Sequence, residues 1–282
     1  MTKITIAGAS GYIGKNLLSQ IPKEYIVKAL SRKIKVSESN NINWVEVDLF
    51  SFGSTSKALA DTDIAIYLVH SMIPSTRLFQ GSFHDTDLML ADNFANACKE
   101  NRVKQIIYLS GVVPLGKLSK HLESRKEVED VFLATGIPCT IFRAGLVVGN
   151  GGSSFEILKN LTINLPAMVL PVWTRSKTQI IFIEDMIKFL VLSINRVEYH
   201  DKTLNITNGE NLQYDDLIRL TLKHVGKKMF LLPVPINYTS FSKLWVTIFG
   251  QSEYQLVSPL VDSLLCDFSE ITPHDLIKNK IE

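Results

Sequence analysis

The first half of the sequence alternates short apolar runs with longer stretches of helical periodicity. Six apolar runs are predicted strands: Lys3–Ala7, Tyr25–Leu30, Trp44–Val47, Asp63–Val69, Gln105–Leu109 and Ile137–Phe142. Helical spacing predicts helices over Tyr12–Ile21, His84–Glu100 and Leu118–Thr135. Runs that are apolar throughout are typical of parallel strands covered on both faces. The alternation therefore predicts an α/β fold with a doubly wound parallel sheet.

The pattern changes near Gly149, where the glycine-rich loop Gly149–Ser154 begins. In the rest of the chain, one further strand is predicted over Thr178–Ile183. The predicted helices there are Phe155–Leu165, Met186–Arg196, Tyr214–Val225, Tyr238–Phe249 and Glu253–Cys266. We predict a first domain over 1–150 and a smaller, mostly helical cap region on the substrate side over 151–282. The second region is expected to share segments, about 176–197, with the first domain.

Composition narrows the class of protein. The 282 residues are 46% hydrophobic and 21% charged, with a formal net charge of +2, which gives no reason to expect a nucleic acid partner. The three cysteines (Cys98, Cys139 and Cys266) form no CxxC pair, and no set of residues has metal-ligand spacing. No signal peptide or membrane-spanning run is evident, so we expect a cytoplasmic protein.

The strongest motif follows the first predicted strand and reads Gly8-Ala-Ser-Gly-Tyr-Ile-Gly14. Gly8 allows a tight turn, Gly11 allows backbone to approach a pyrophosphate, and Gly14 allows close packing of helix on strand. The N-terminus of the following helix directs its N–H groups at the phosphates. This context predicts an NAD(P)-binding domain of the Rossmann type, with contacts from Gly8, Ser10, Gly11, Tyr12, Ile13 and Gly14.

The end of the second strand indicates which dinucleotide binds. An acid there would hold the ribose 2′-hydroxyl, but the sequence instead has Ser31, Arg32 and Lys33, which suit a 2′-phosphate. We therefore expect NADP(H) in preference to NAD(H), although a solvated basic turn is the alternative. Further cofactor contacts are expected at the ends of the third and fourth strands, from Asp48, Leu49, Leu68, Val69 and His70.

These motifs resemble the atypical or extended branch of the short-chain dehydrogenase/reductase superfamily, and within it the YbjT-like and NmrA-like group. The segments that carry the resemblance, over roughly residues 1–235, are GASGYIG, YLVHSM (67–72), HLESR (121–125), FRAGLVVG (142–149), GSSFE (152–156), LPAMVLPVW (165–173) and TQIIFIEDM (178–186). The resemblance implies a Rossmann fold and a nicotinamide dinucleotide cofactor. Active members use a serine and a YxxxK pair on one helix.

In this sequence the YxxxK frame reads His121-Leu-Glu-Ser-Arg125, so histidine replaces tyrosine and arginine replaces lysine. Arg125 can still bind ribose hydroxyls, and a neutral His121 can donate a hydrogen bond to a carbonyl. The catalytic serine of active members aligns either with Ser110 or with Gly111. If it aligns with Gly111, this chain lacks the serine as well. Glu129 lies on the same helix face one turn beyond Arg125, at a spacing that allows the two to pair.

Two functions of different class follow from this frame. One is an NADP(H)-dependent reductase of a small carbonyl or enone substrate, in which His121 polarises the oxygen and Ser110 or His70 orients it. The other is a non-catalytic NADP(H)-binding redox sensor or assembly factor that acts on a protein partner. Sugar-nucleotide epimerisation is a third interpretation from fold kinship, and the missing YxxxK pair counts against it.

Overall fold

A computed structural model of the protein describes residues 1–37, 39–70, 83–114, 118–208, 211–235, 239–251 and 253–263. The chain divides into two compact units. The first unit comprises residues 1–111, 124–143 and 183–204, and the second comprises 112–123, 144–182 and the described residues from 205 onward. Across the described ranges, no helix combines the length and apolarity needed to cross a bilayer.

The strands, numbered along the chain, are β1 (Lys3–Ala7), β2 (Ile26–Ser31), β3 (Ile42–Glu46), β4 (Ile64–Tyr67), β5 (Gln105–Gly111), β6 (Cys139–Ala144), β7 (Leu146–Val148), β8 (Ala167–Leu170), β9 (Lys177–Phe182), β10 (Lys202–Ile206), β11 (Asn211–Gln213) and β12 (Phe230–Pro233). The helices are α1 (Tyr12–Gln20), α2 (Phe52–Leu59), α3 (Phe83–Glu100), α4 (Lys120–Leu133), α5 (Ser153–Asn164), α6 (Ile183–Leu192), α7 (Tyr214–His224), α8 (Thr239–Phe249) and α9 (Tyr254–Ser263).

The first unit is built on a seven-stranded parallel sheet in the order β10-β6-β5-β4-β1-β2-β3. The chain passes from β1 outward to β3 and then returns to β4 on the other side of β1, so the switch point lies between β1 and β4. Ligands of such sheets bind at the carboxyl ends of the strands beside that point. The register places Ala7 of β1, Tyr67 of β4 and Tyr108 of β5 at one level of that edge.

Helices cover both faces of this sheet because the strands are apolar on both sides. On one face, buried residues of alternate strand positions pack with α2, α3 and α4, and Tyr67, Phe94, Tyr108 and Phe132 form an aromatic cluster there. On the other, Phe142 of β6 packs against Phe189 of α6, and α6 packs against α1. The predicted doubly wound α/β fold is confirmed.

The second unit has two small sheets and its own core. Strands β7 and β9 are parallel, β11 is antiparallel to β9, and β8 pairs with β12 in parallel. Its core residues come mainly from α5, α7, α8 and α9: Ile157, Leu161, Leu165, Met168, Leu170, Ile218, Leu222, Val246, Val257 and Val261.

The predicted first-half strands and helices agree with the structure to within a few residues. Helix α2 was not predicted because its sequence, FGSTSKAL, has few apolar positions. The predicted Tyr238 start of α8, the end of the last helix and Cys266 lie outside the described residues.

One contact that the helix spacing allows does not form. Glu129 does not pair with Arg125 but forms a two-point ion pair with Arg143 of β6, with Arg143 Nε 2.9 Å from Oε1 and the second guanidinium nitrogen 2.5 Å from Oε2. The Glu129 side chain is 1% exposed, so this pair joins α4 to the sheet within the apolar layer. Arg143 lies on the strand that faces α4 and reaches Glu129 across the interface. The pair with Arg125 was inferred only from the four-residue spacing along the helix.

Removal of Arg143 should be strongly destabilising because it leaves the buried Glu129 carboxylate without a counter-charge. We expect Arg143→Ala to lower the free energy of unfolding by about 3–5 kcal/mol in urea titrations. Lys126→Ala is the matched control, since Lys126 pairs with the exposed Asp130 on the same helix and should cost less than about 1 kcal/mol. Equal losses in the two variants would contradict this assignment.

Candidate functional site

The turn after β1 has the geometry that the glycine motif predicts. Gly8 has φ +82°, a left-handed conformation that residues with a Cβ rarely adopt, and the Gly11 N–H donates to Gly8 O at 3.0 Å. A Cβ on Gly14 would lie 2.4 Å from Gly8 O and 2.6 Å from Ala9 Cα. The turn and the start of α1 are therefore packed against each other without room for side chains at these glycines.

The same turn is pressed against the end of β4. A Cβ on Gly8 would lie 2.8 Å from the Leu68 carbonyl carbon and 3.0 Å from the Val69 nitrogen. Among the described side chains none caps α1, and its first turn contains no acid. A helix N-terminus of this kind, reached through a glycine turn, fits the pyrophosphate of a dinucleotide.

The residues after β2 and β3 are placed as follows. Ser31 is buried and its hydroxyl bonds within the turn to the backbone of Lys33, whereas Arg32 and Lys33 are exposed. Neither cation forms an ion pair with a described residue. Asp48 Oδ1 accepts the Phe50 N–H at 3.1 Å, which fixes the turn after β3, and Leu49 packs against the core.

Arg125 lies on α4 above the end of β5. Its guanidinium donates to Leu109 O at 3.1 Å and approaches the Tyr108 hydroxyl at 3.4 Å. Its Nε is a buried donor without a hydrogen-bond acceptor in the described structure. The buried hydroxyl groups of Tyr67 and Ser110 likewise have no hydrogen-bond partner there. Buried polar atoms of this kind are uncommon, and they are concentrated here at the carboxyl edge of β4 and β5.

His70, three residues beyond β4, is hydrogen-bonded through Nδ1 to Asp87 Oδ2 of α3 at 2.7 Å. Both side chains are largely buried, at 11% and 4% exposure, and the Ser124 hydroxyl of α4 lies 3.4 Å from the same carboxylate oxygen. Burial, and then the positive charge of Arg125, lowers the pKa of His70 well below 6.5. His70 is therefore neutral at pH 7, with Nδ1–H donated to the Asp87 carboxylate.

The two tyrosines beside this pair stay protonated. Burial, followed by the charge of Asp87, raises the pKa of Tyr67 well above 10. Burial also raises the pKa of Tyr108, against the lowering effect of Arg125. The first unit therefore brings five polar side chains together with Arg125. We call these six residues the polar cluster: Tyr67, His70, Asp87, Tyr108, Ser124 and Arg125.

Sequence reasoning identified His70 and Arg125 but missed Asp87 and Ser124. A signal was present, because Asp87 precedes Ala91, Phe94 and Cys98 on the apolar stripe of α3. Ser124 likewise shares a stripe of α4 with Val128 and Phe132. A polar residue within an otherwise apolar stripe predicts a buried polar contact.

The remaining predicted residues lie in different units. Ser110 is buried near the end of β5 in the first unit, where Gly111 is the last residue of that strand. His121, partly buried at the start of α4, belongs to the second unit. Ser71, which follows His70 in the quoted motif, lies outside the described residues.

The fold and the glycine turn together define a protein of the Rossmann type. A model of the NmrA-like family matches residues 1–252, and the chain belongs to that family. The expected membership of the NmrA-like group is confirmed.

Curated proteins give two matches of different extent. Over 111 residues the chain is 32% identical to the auxiliary protein GraX of Staphylococcus aureus. The aligned stretch is 39% of this chain and 36% of GraX, so the match spans about a third of that relative. It is 21% identical to a UDP-glucose 4-epimerase of Vibrio cholerae, over 94% of this chain and 87% of the epimerase.

Among solved structures, the Bordetella bronchiseptica enzyme WbmH in complex with NAD+ has a TM-score of 0.69 at 16% identity, covering 95% of this chain and 97% of WbmH. This likeness establishes the shared fold.

Because Gly14 leaves no room for a side chain, Gly14→Ala should force the turn and α1 apart and lower the free energy of unfolding by about 1–3 kcal/mol. Gly53→Ala in α2 is the matched control, since its Cβ would meet nothing within 4 Å and alanine favours a helix by up to about 1 kcal/mol. Urea titration measures both, and a Gly14→Ala variant as stable as the wild type would contradict the packing.

The lowered pKa of His70 has a consequence for stability. The unfolded chain takes up a proton on this histidine near pH 6.5, whereas the folded protein does not until lower pH. The free energy of unfolding should therefore fall as the pH drops below 6.5, by up to about 1.4 kcal/mol per pH unit from this residue. His70→Gln should remove that part of the slope, and an unchanged slope in chemical denaturation between pH 7.5 and 5.5 would contradict a neutral His70.

Proposed function

We propose that this protein is an NADP(H)-dependent oxidoreductase acting on a small carbonyl substrate. The observation that carries the proposal is the glycine turn. Gly8 in its left-handed conformation, the absence of space for a Cβ at Gly14 and the uncapped N-terminus of α1 form a cradle that fits a pyrophosphate. Similar structures contain NAD, which supports a nicotinamide dinucleotide as the ligand.

The preference for the 2′-phosphate rests on the turn after β2. Arg32 and Lys33 are exposed there and have no carboxylate partner in the described structure, so both positive charges are available to bind a phosphate. A phosphate bound by arginine forms charge-assisted, bidentate hydrogen bonds. Asp48 and Leu49, at the end of β3, are assigned to the adenine.

The catalytic assignment follows the resemblance residue by residue. The bound nicotinamide supplies or accepts a hydride. Arg125 keeps a fixed positive charge at the end of β5, where we assign it to the ribose hydroxyls, although Leu109 O already occupies part of its guanidinium. His121 is assigned to the substrate oxygen and Ser110 to its orientation.

A second candidate is a non-catalytic NADP(H)-binding protein that reports the state of the cofactor to a protein partner. Two observations favour it. The tyrosine and lysine of active relatives are replaced by His121 and Arg125, and the chain is similar over 111 residues to a protein described as auxiliary. Epimerisation of a sugar nucleotide, the activity named for the Vibrio cholerae relative, is supported by the shared fold and opposed by the same replacements.

If Arg32 binds the 2′-phosphate, Arg32→Glu should weaken NADP binding by about 100-fold or more while NAD binding changes little, because a charge-assisted contact becomes a repulsion. Lys35→Glu is the matched control: Lys35 is a cation of the same loop, but its Nζ lies over the Trp44 ring, 5.0 Å from the centroid. Calorimetric titration gives both affinities. Equal losses for NADP and NAD in Arg32→Glu would refute the assignment.

The oxidoreductase and the sensor hypotheses predict different effects of His121→Ala on NADPH consumption. In the oxidoreductase it should abolish consumption of NADPH with a carbonyl substrate while the affinity for NADPH stays within about threefold. The measurement is NADPH absorbance with carbonyl probes, beside calorimetry on the same preparation. A wild-type protein that binds NADPH but oxidises none of it with any probe would favour the sensor.

A further inference from the structure

The polar cluster of the first unit contains an acid, Asp87, that has no assigned role, and a histidine, His70, that has so far been assigned only to cofactor contact and substrate orientation. His70 follows Leu68 and Val69, the backbone against which Gly8 is packed. The cradle for the pyrophosphate and His70 are therefore joined by two residues of one chain segment. Any dinucleotide that leaves the Gly8 turn along the carboxyl edge of β4 passes this segment.

We propose that His70 is the group that accepts and returns the substrate proton, and that Asp87 is the positioning residue that holds its tautomer. This inference rests on the proposed oxidoreductase function. In it, His121 polarises the substrate oxygen as assigned above, and His70 carries out the proton transfer that the lost tyrosine performs in active relatives.

The geometry determines which ring nitrogen would exchange the proton. Asp87 Oδ2 accepts a hydrogen bond from Nδ1–H at 2.7 Å, so the acceptor lone pair of the neutral ring is on Nε2. The Ser124 hydroxyl approaches the same Oδ2, which restrains the carboxylate from the side of α4. A carboxylate so held both orients a histidine and stabilises the imidazolium when it forms.

The electrostatics of the cluster suit a proton acceptor. Burial and the neighbouring charge of Arg125 keep His70 neutral before reaction, as a base requires. Among the described residues, Asp87 of α3 is hydrogen-bonded to His70 and Arg125 of α4 acts on it through its charge. The protonated phenols of Tyr67 and Tyr108 lie within reach of the same two charges. Asp87 is thus the one anion that faces His70 among these groups, and it lies on Nδ1.

The step balances as follows for an alcohol substrate. Nε2 of His70 accepts the hydroxyl proton, the C–H bond breaks, and its hydrogen leaves with the electron pair to oxidised NADP. The products are a carbonyl compound, NADPH and a His70 imidazolium paired with Asp87, which then releases its proton to solvent. In the reductive direction the imidazolium returns the proton to the substrate oxygen.

The test is nitrogen-15 NMR of ring-labelled histidines, with His70→Gln to assign the signal. We expect His70 to give the Nδ1–H tautomer pattern in the wild type. Asp87→Asn should raise the population of the Nε2–H tautomer, whereas Asp130→Asn, an exposed carboxylate on α4, should leave the pattern unchanged. A His70 tautomer that ignores Asp87→Asn would overturn the positioning role.

Addition of NADP then tests the placement. The Nε2 signal of His70 should shift on binding, and that of His84, which is paired with Glu127, should not. NADP that binds by calorimetry without moving the His70 signal defeats this inference and leaves the proposed function intact. If none of NADPH, NADP, NADH and NAD binds, the proposed function is refuted, and this inference with it.

Turnover distinguishes a proton-transfer role from a structural one. With NADPH and phenanthrenequinone as a broad carbonyl probe, we expect His70→Gln and Asp87→Asn to lower kcat by about 100-fold or more while the dissociation constant of NADPH stays within about threefold. A wild-type rate no higher than that of His70→Gln would overturn the proton role.

Discussion

The approach of the Gly8 turn to the backbone of Leu68 and Val69 is the constraint on which the rest of the site depends. Strands β1 and β4 are neighbours at the switch point, and a side chain at Gly8 would meet the next strand at 2.8 Å. The contact brings the first residues after β1 and those after β4 to one edge. Every group that we assign to cofactor or proton transfer in the first unit lies along that edge or just above it.

Above that edge, three elements place polar groups, two of them charged, within a layer that is otherwise aromatic and aliphatic. Asp87 enters from α3, Arg125 and Ser124 from α4, and His70 from the end of β4. Burial of charges without compensation is costly, so their mutual arrangement is restricted to a few geometries. The Glu129–Arg143 pair, further along α4, illustrates the alternative of a structural ion pair with both partners satisfied.

Much of the fold could be predicted from the sequence because its strands are short, apolar and separated by clear turns. The glycine spacing located the turn after β1, because a left-handed turn at Gly8 and close packing of the helix at Gly14 both favour glycine. The contacts of α4 could not be predicted in the same way. Spacing along one helix suggested Glu129 as the partner of Arg125, but the helix faces a strand that is remote in sequence, and the strand supplies Arg143. Asp87 was missed although its position in the apolar stripe of α3 marked it.

The central claim is that the glycine turn binds a dinucleotide and that its surroundings select the one with a 2′-phosphate. The most direct measurement is calorimetric titration of the purified protein with NADPH, NADP, NADH and NAD in parallel. The account predicts binding of NADPH and NADP at least about tenfold tighter than that of NADH and NAD, a difference of about 1.4 kcal/mol or more. Binding of none of the four would contradict it.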